Sequence, residues 1–309
     1  MRMRQAAVLD VGCHSALLTV VRRPHGQTGL ETVLSHKVRL SLHQMLAPDG
    51  QLDEQGIRSV QQAVAETMDA NPAAQSRVFA FATSVIRDAP NRDEVIARIA
   101  GATGTRLRVL PGREEARLAY VAARQWAGHT SDPLLVLDIG GGTIEIASGT
   151  DREPHTVHSL PLGARTITRR WLPGGAASSS RQLRRVRHHL RRALSRQPGL
   201  PTPQPGGHVL ASSKTFTQLA RLAFAQGEPS CSRNRLSLTG VQASLALLAD
   251  MDPAHRGELP GISTHRAEQS LAGALIAEAL MEACEATSVE ICPWSTREGL
   301  LLERLGSTH

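Results

Sequence analysis

"LVLDIGGGTIEIASG", Leu135–Gly149, is the stretch on which the reading of this chain turns. An apolar run ends in an acid, three glycines and a threonine follow, and a second apolar run leaves the turn. That pattern predicts a buried strand, a tight turn and another strand. Gly140, Gly141 and Gly142 clear side chains from the approach, so backbone N–H groups can come close to an oxyanion, and Thr143 adds a hydroxyl. Asp138, at the end of the first strand, is a poor direct partner for phosphate. It suits a hydrated Mg2+ that bridges to phosphate oxygens.

The frame occurs twice. "AVLDVGCHSALLTVV", Ala7–Val21, repeats the Val-Leu-Asp–[Val/Ile]-Gly core, and its Asp10 precedes Asp138 by 138 − 10 = 128 residues. Self-similarity at domain spacing predicts two α/β halves facing each other, with one loop from each gripping successive phosphates. Plain hairpins with capping aspartates are the alternative, and two copies a domain apart argue against them.

The segments between fit the same frame. "RVFAFATSVIRDAPN", Arg77–Asn91, reads as a strand running into Ser/Thr and then Arg87-Asp88. Arg87 is a candidate charge-assisted phosphate contact, with a structural ion pair to Asp88 as the equal alternative. "GREEARLAYVAARQWAG", Gly112–Gly128, is a helix with acids in its first turn and Arg later, as the helix dipole favours. "HTSDP" then links the halves, which gives domains at 1–129 and 130–294. "RQLRRVRHHLRRALSR" carries Leu183, Val186, Leu190 and Leu194 on one narrow stripe and a basic opposite face. That face is either solvated surface or a guide for a polyanion.

Composition narrows the function. With 309 residues, two domains are expected, and 41% apolar content is enough for real cores. No stretch approaches the ~20 apolar residues of a membrane span, and the N-terminus lacks the apolar core of a signal peptide, so a cytoplasmic protein is expected. The net charge of +7 points to an anionic partner, although the basic residues are nearly all Arg, with Lys37 and Lys214 the exceptions. Aromatic residues are 3% of the chain, too few for the stacking platforms of a single-strand nucleic-acid binder, and a polyanion without bases suits it better. Cys13, Cys231, Cys284 and Cys292 show no C-x-x-C spacing, so neither a disulfide framework nor a zinc site is expected.

Together "VLDVGCHS", "FATSVIRDA", "GREEARLAY", "LVLDIGGGTIEI", "ASSKTF" and "ICPWSTREGLL" resemble the exopolyphosphatase/guanosine pentaphosphate phosphatase family, in its short two-domain form. The resemblance runs from Val8 to about Leu305. It implies two facing ribonuclease-H-like domains of the actin-like ATPase superfamily with a cleft between them, and a C-terminal helix at about 295–309 that packs back on the first. It also implies a homodimer and a Mg2+-dependent (or other divalent cation-dependent) hydrolase acting on inorganic polyphosphate or guanosine polyphosphate, with no nucleic-acid or membrane partner. By the same resemblance Glu115 lies at the attacking water, and Asp138 and Glu145 hold the metal or orient that water, with Asp10 opposite as a further metal ligand. Gly140, Gly141, Gly142 and Thr143 would bind phosphate from one side, and Gly12, Cys13, His14 and Ser15 from the other.

The first loop departs from the family's Asp-x-Gly-Ser/Thr-Asn-Ser/Thr pattern. Cys13 replaces a hydroxyl donor with a weak thiol donor, and His14 replaces an amide with a larger ring. Adjacent turn residues usually diverge, so a Cys13–His14 catalytic dyad is not expected. Three readings follow in order: a phosphohydrolase, a polyphosphate- or guanosine polyphosphate-binding regulator whose altered loop impairs hydrolysis, and an actin-like kinase or ATPase.

Overall fold

The computed structural model describes residues 5–23, 29–70, 78–128 and 131–306, so Arg77, the 129/130 boundary and residues 307–309 lie outside the described residues. Contacts divide the chain into two units, Met1–Pro111 with Arg297–His309, and Gly112–Thr296.

The first unit opens with an antiparallel meander, β1 (Gln5–Val11), β2 (Ser15–Arg22) and β3 (Glu31–Arg39). Helix α1 (Glu54–Asp69) follows, with the Asp53 carboxylate accepting the Gly56 N–H as its N-cap. Strand β4 (Val78–Ala82) then lies parallel to β1, helices α2 (Ser84–Arg87) and α3 (Arg92–Thr103) follow, and β5 (Arg108–Val109) lies parallel to β4. The sheet order is β3-β2-β1-β4-β5. Its core joins Leu9, Val11 and Leu18 of the sheet to Val60 and Val64 of α1 and Ile99 of α3.

The second unit begins with α4 (Gly112–Ala127) and repeats the meander in β6 (Leu134–Ile139), β7 (Ile144–Gly149) and β8 (Thr156–Leu160). Helices α5 (Ala164–Trp171) and α6 (Ser180–Ser195) precede β9 (His208–Ser212), which runs parallel to β6. Then come α7 (Lys214–Ala225), β10 (Arg235–Ser237), α8 (Leu238–Asp250), α9 (Ala267–Ala283) and β11 (Ser288–Ile291). Last is α10 (Thr296–Gly306), grouped with the first unit from Arg297 onward. The second sheet is ordered β10-β11-β9-β6-β7-β8. Read from its meander, 8-7-6-9-11 matches 3-2-1-4-5 strand for strand and direction for direction, so the sequence repeat is a repeat of topology. All six residues of β6 are buried, as a strand covered on both faces must be.

Helix α4 is where the observed division departs from the expected 1–129 domain. It packs on β6, β7 and β8, burying Leu118, Ala119, Val121 and Ala122. Its Tyr120 hydroxyl donates to Asp151 O, and Arg124 donates to Asp132 O and Gly149 O. The unit therefore starts with the helix and not with the linker after it.

The basic helix α6 buries Val186, Leu190 and Leu194. Part of its charge is spent on α9, where Arg187 forks onto Glu278 and Arg191 onto Glu282. Among the described residues, no helix is long and apolar enough to cross a membrane.

Candidate active site

Strand register places the acids. Asp138 pairs directly with Glu145 across β6 and β7, and residues opposite each other project to the same face of a sheet. The equivalent pair in the first unit is Asp10 with Leu17. The duplicated hairpin therefore carries two acids in one copy and one in the other, and the second unit holds the denser carboxylate site.

Glu115 joins that pair. Of the two acids opening α4, Glu114 turns outward to Arg117, which also pairs with Glu153. Glu115 turns inward and is 9% exposed. Its charge, with that of Asp138, adds to burial in pushing the Glu145 carboxyl well above the usual carboxylate range, against hydrogen bonds from Thr143 and Ser159. Burial also raises Asp138, opposed by the hydroxyls of Ser212 and Ser295 and by the Arg266 charge. Those hydroxyls donate to Asp138 Oδ2 at 2.6 and 2.8 Å, and Ser159 Oγ donates to Glu145 Oε1 at 3.0 Å.

Burial raises Asp138 and Glu145, and the charges of Glu115 and Asp138 raise Glu145 further, so a cation would relieve this carboxylate group. Hard oxygen donors of this kind fit Mg2+ or a similar divalent cation. Among the described residues, their oxygens do not form a tight cluster of three ligands. Mg2+ tolerates this, because it is held by one or two carboxylates and keeps water or phosphate oxygens for the rest.

The glycine loop is fixed from behind. Gly140 N donates to Thr143 O at 2.9 Å, closing the turn, and Gly12 N does the same to Ser15 O in the first unit. The carbonyls of Gly140, Gly141 and Gly142 accept from the N–H groups of Ala164, Arg165 and Gly163 at the start of α5. Across a trans peptide N–H and C=O are antiparallel, so the N–H groups of Gly141, Gly142 and Thr143 point away from α5. That is the geometry of an anion nest. Gly163 makes the approach feasible: a Cβ there would lie 2.4 Å from Gly142 C and 2.5 Å from Gly141 C and O.

Arg165 is a site residue the sequence did not mark. It is 6% exposed, it lies against Gly141, and its Nη1 is buried with no hydrogen-bond partner among the described residues. A desolvated guanidinium beside an anion nest is suited to a phosphate oxygen. No spacing signal marks it; only the return of α5 onto the loop brings it there. Ser159, Ser295 and Gly163 were likewise not marked by the sequence, whereas Ser212 lies in the "ASSKTF" turn that it did mark.

The remaining candidates lie in the first unit. Burial pushes Asp10 up to about 6, with Arg297 and Lys37 pulling down and Glu298 pushing up. Gly12, Cys13, His14 and Ser15 form the first loop, tied to the following segment by Leu40 N–H to His14 O and Leu42 N–H to Cys13 O. Arg87 donates from Nε to Asp88 at 2.8 Å and from Nη1 to Leu110 O, the ion pair that the sequence left open.

A model of the Ppx/GppA phosphatase family matches residues 19–308. Exopolyphosphatase 1 of Mycobacterium tuberculosis is 39% identical over 306 residues, covering 97% of this chain and 88% of the relative. Exopolyphosphatase 1 of Mycobacterium leprae is 39% identical, covering 97% and 89%. The crystal structure of an Aquifex aeolicus member of the Ppx/GppA family has the same fold, with a TM-score of 0.80 at 24% identity over 100% of both chains.

Proposed function

The chain belongs to the Ppx/GppA phosphatase family, and from that premise we propose that it hydrolyses the terminal phosphoanhydride bond of inorganic polyphosphate to release orthophosphate. The observation that carries this reading is the convergence of buried Glu115, Asp138 and Glu145 beside the anion nest Gly140–Thr143.

Phosphoryl transfer asks the protein mainly for positioning and for neutralisation of charge. The amides of Gly141, Gly142 and Thr143 and the Arg165 guanidinium take the phosphate oxygens. Glu115 accepts the proton of the attacking water, which adds to the terminal phosphorus as the bridging P–O bond breaks. The shortened chain leaves with the bridging oxygen. Asp138 and Glu145 would hold the divalent cation, which supplies positive charge to the phosphate oxygens. Glu145, raised by burial and by the charges of Glu115 and Asp138, is the acid most in need of a counter-charge.

Purified protein with polyphosphate and a divalent cation is expected to release orthophosphate, and release should stop when the cation is chelated. Guanosine pentaphosphate, run in parallel, reports whether the same site accepts a nucleotide-linked chain. No release across substrates and metals defeats the proposal, and ATP-dependent phosphorylation of a small acceptor would move the protein to the kinase reading.

Gly163→Ala tests the nest. The new methyl must displace the Gly141–Gly142 backbone, an overpacking that costs about 1–3 kcal/mol in a typical core. Hydrolysis should fall by at least about tenfold, the equivalent of ~1.4 kcal/mol in the barrier, with the loss concentrated in kcat/KM. Wild-type kinetics in a folded Gly163→Ala protein would show that the loop does not hold substrate.

The binding-without-turnover reading draws on Cys13 and His14 alone. A large gain in phosphate release from the double variant Cys13→Ser, His14→Asn would favour it, and an unchanged rate would remove it.

A further inference from the structure

The chain has no C-x-x-C spacing, but the fold brings three potential metal ligands together from residues 30 positions apart. Cys13, His14 and His43 each present a ligand atom, and all three atoms lie within 4.8 Å of one another. Cys13 and His14 therefore do not diverge as adjacent turn residues usually do. The His14 and His43 rings meet edge to face, with centroids 5.0 Å apart and planes at 62°.

The backbone explains the juxtaposition. Gly12 N–H to Ser15 O fixes the first loop, and the N–H groups of Leu40 and Leu42 donate to the carbonyls of His14 and Cys13 at 2.9 and 3.0 Å. The segment after β3 is thereby strapped to the loop, and the short 3-10 turn Leu42–Gln44 sets His43 beside it. Leu42, wholly buried in the core of the unit, anchors that turn. All three residues are partly exposed, while both ring nitrogens of His14 and Nδ1 of His43 are turned inward and buried.

We propose that Cys13, His14 and His43 form a binding site for a thiophilic transition-metal ion, Zn2+ first among them, built from donors other than the carboxylates of the second unit. One thiolate and two imidazoles are the donors that zinc takes, whereas Mg2+ prefers oxygen. With Zn–N near 2.0–2.1 Å and Zn–S near 2.3 Å, tetrahedral ligand atoms stand roughly 3.3–3.6 Å apart, so closure needs shifts of about 1 Å. Three protein ligands leave a fourth position for water or another exchangeable ligand, as in open zinc sites. Binding releases the thiol proton to solvent, so affinity should rise with pH. The site rests on residues of the first loop and its strap and does not depend on hydrolysis by the second unit.

The test uses the full-length protein freed of any histidine tag. Titration with Zn2+ in excess Mg2+ should show one equivalent bound. Co2+ in its place should give thiolate-to-metal charge-transfer absorption and the visible bands of tetrahedral cobalt. His43→Ala and Cys13→Ser should each weaken binding by more than about 100-fold, beyond the ~10–100-fold cost of losing an outer partner. Cys231→Ser, remote in sequence, should bind as the wild type does. Should either loop variant fail to fold, alkylation mapped by mass spectrometry on the unmodified protein decides: Zn2+ and not Mg2+ should protect Cys13. Binding unaffected by both substitutions, no cobalt–thiolate band, or no protection of Cys13 overturns the assignment.

Discussion

Glu115→Gln is expected to lower polyphosphate turnover by about 10²–10⁴-fold, the usual worth of a positioned general base, while leaving the polymer bound. The exchange keeps shape and volume and removes only the charge and the ability to take a proton. Glu114, its neighbour in sequence, is engaged with Arg117 on the surface. Glu114→Gln should therefore leave turnover close to wild type and serves as the matched control. A second readout separates a base from a structural acid. The Glu115 charge is one of the forces holding Glu145 above the ordinary carboxylate range, so its loss should shift the acidic limb of the residual pH–rate profile downward. A variant that loses turnover with an unmoved profile would place Glu115 outside the electrostatic group. Wild-type turnover would remove it from catalysis.

The second large effect has an unusual sign. Glu145→Gln should abolish most hydrolysis, by at least about 100-fold if losing a metal ligand costs no less than losing an outer partner, and yet stabilise the cation-free protein. Burial and the charges of Glu115 and Asp138 raise the folded-state pKa of Glu145. Between the unfolded value near 4.3 and that raised value, the folded chain keeps a proton that the unfolded chain releases. Stability from this group is thus complete below about pH 4 and is lost as pH rises through the folded pKa. The wild-type melting temperature without divalent cations should fall with pH over that window, and Glu145→Gln should flatten the fall. Added Mg2+ should raise the wild-type melting temperature and raise that of the variant less. Since most substitutions destabilise, a gain in stability paired with a loss of activity is hard to obtain unless the site is built at the expense of the fold. A destabilised, cation-responsive Glu145→Gln protein would contradict the assignment.

Much of the architecture was legible because it is written twice. The two Asp–Gly turns, 128 residues apart, announced paired α/β units, and the strand orders agree in both. Asp138 was legible as the acid that ends a strand entering a glycine turn, whereas Glu145 and Glu115 entered only through the resemblance to the family. Which acid of "GREEARLAY" faces inward was not decided by helical propensity, since either suits a first turn. Packing against β7 and β8 settles it, turning Glu115 in and leaving Glu114 to Arg117. Gly163 and Arg165 lie in the stretch "LPLGARTI", which reads as an ordinary entry to a helix. Their importance arises from the return of α5 onto the glycine loop, a contact that hydrophobic periodicity does not encode. His43 was hidden likewise, because only the backbone strap from Leu40 and Leu42 carries it to Cys13 and His14.

The contacts divide the chain before α4 and not at the linker that follows it. A polar linker at "HTSDP" was the stronger composition signal, yet the helix before it packs on the sheet after it. Glu115 thereby sits in the same unit as Asp138 and Glu145.

Removal of phosphate from a chain end by water is visible in phosphorus NMR of polyphosphate during digestion by the wild-type protein with Mg2+. Interior phosphate should decline, orthophosphate should grow by the same amount, and the number of chain ends should stay constant until the chains are short. Growth in chain ends, or no orthophosphate while the polymer is bound, would contradict it.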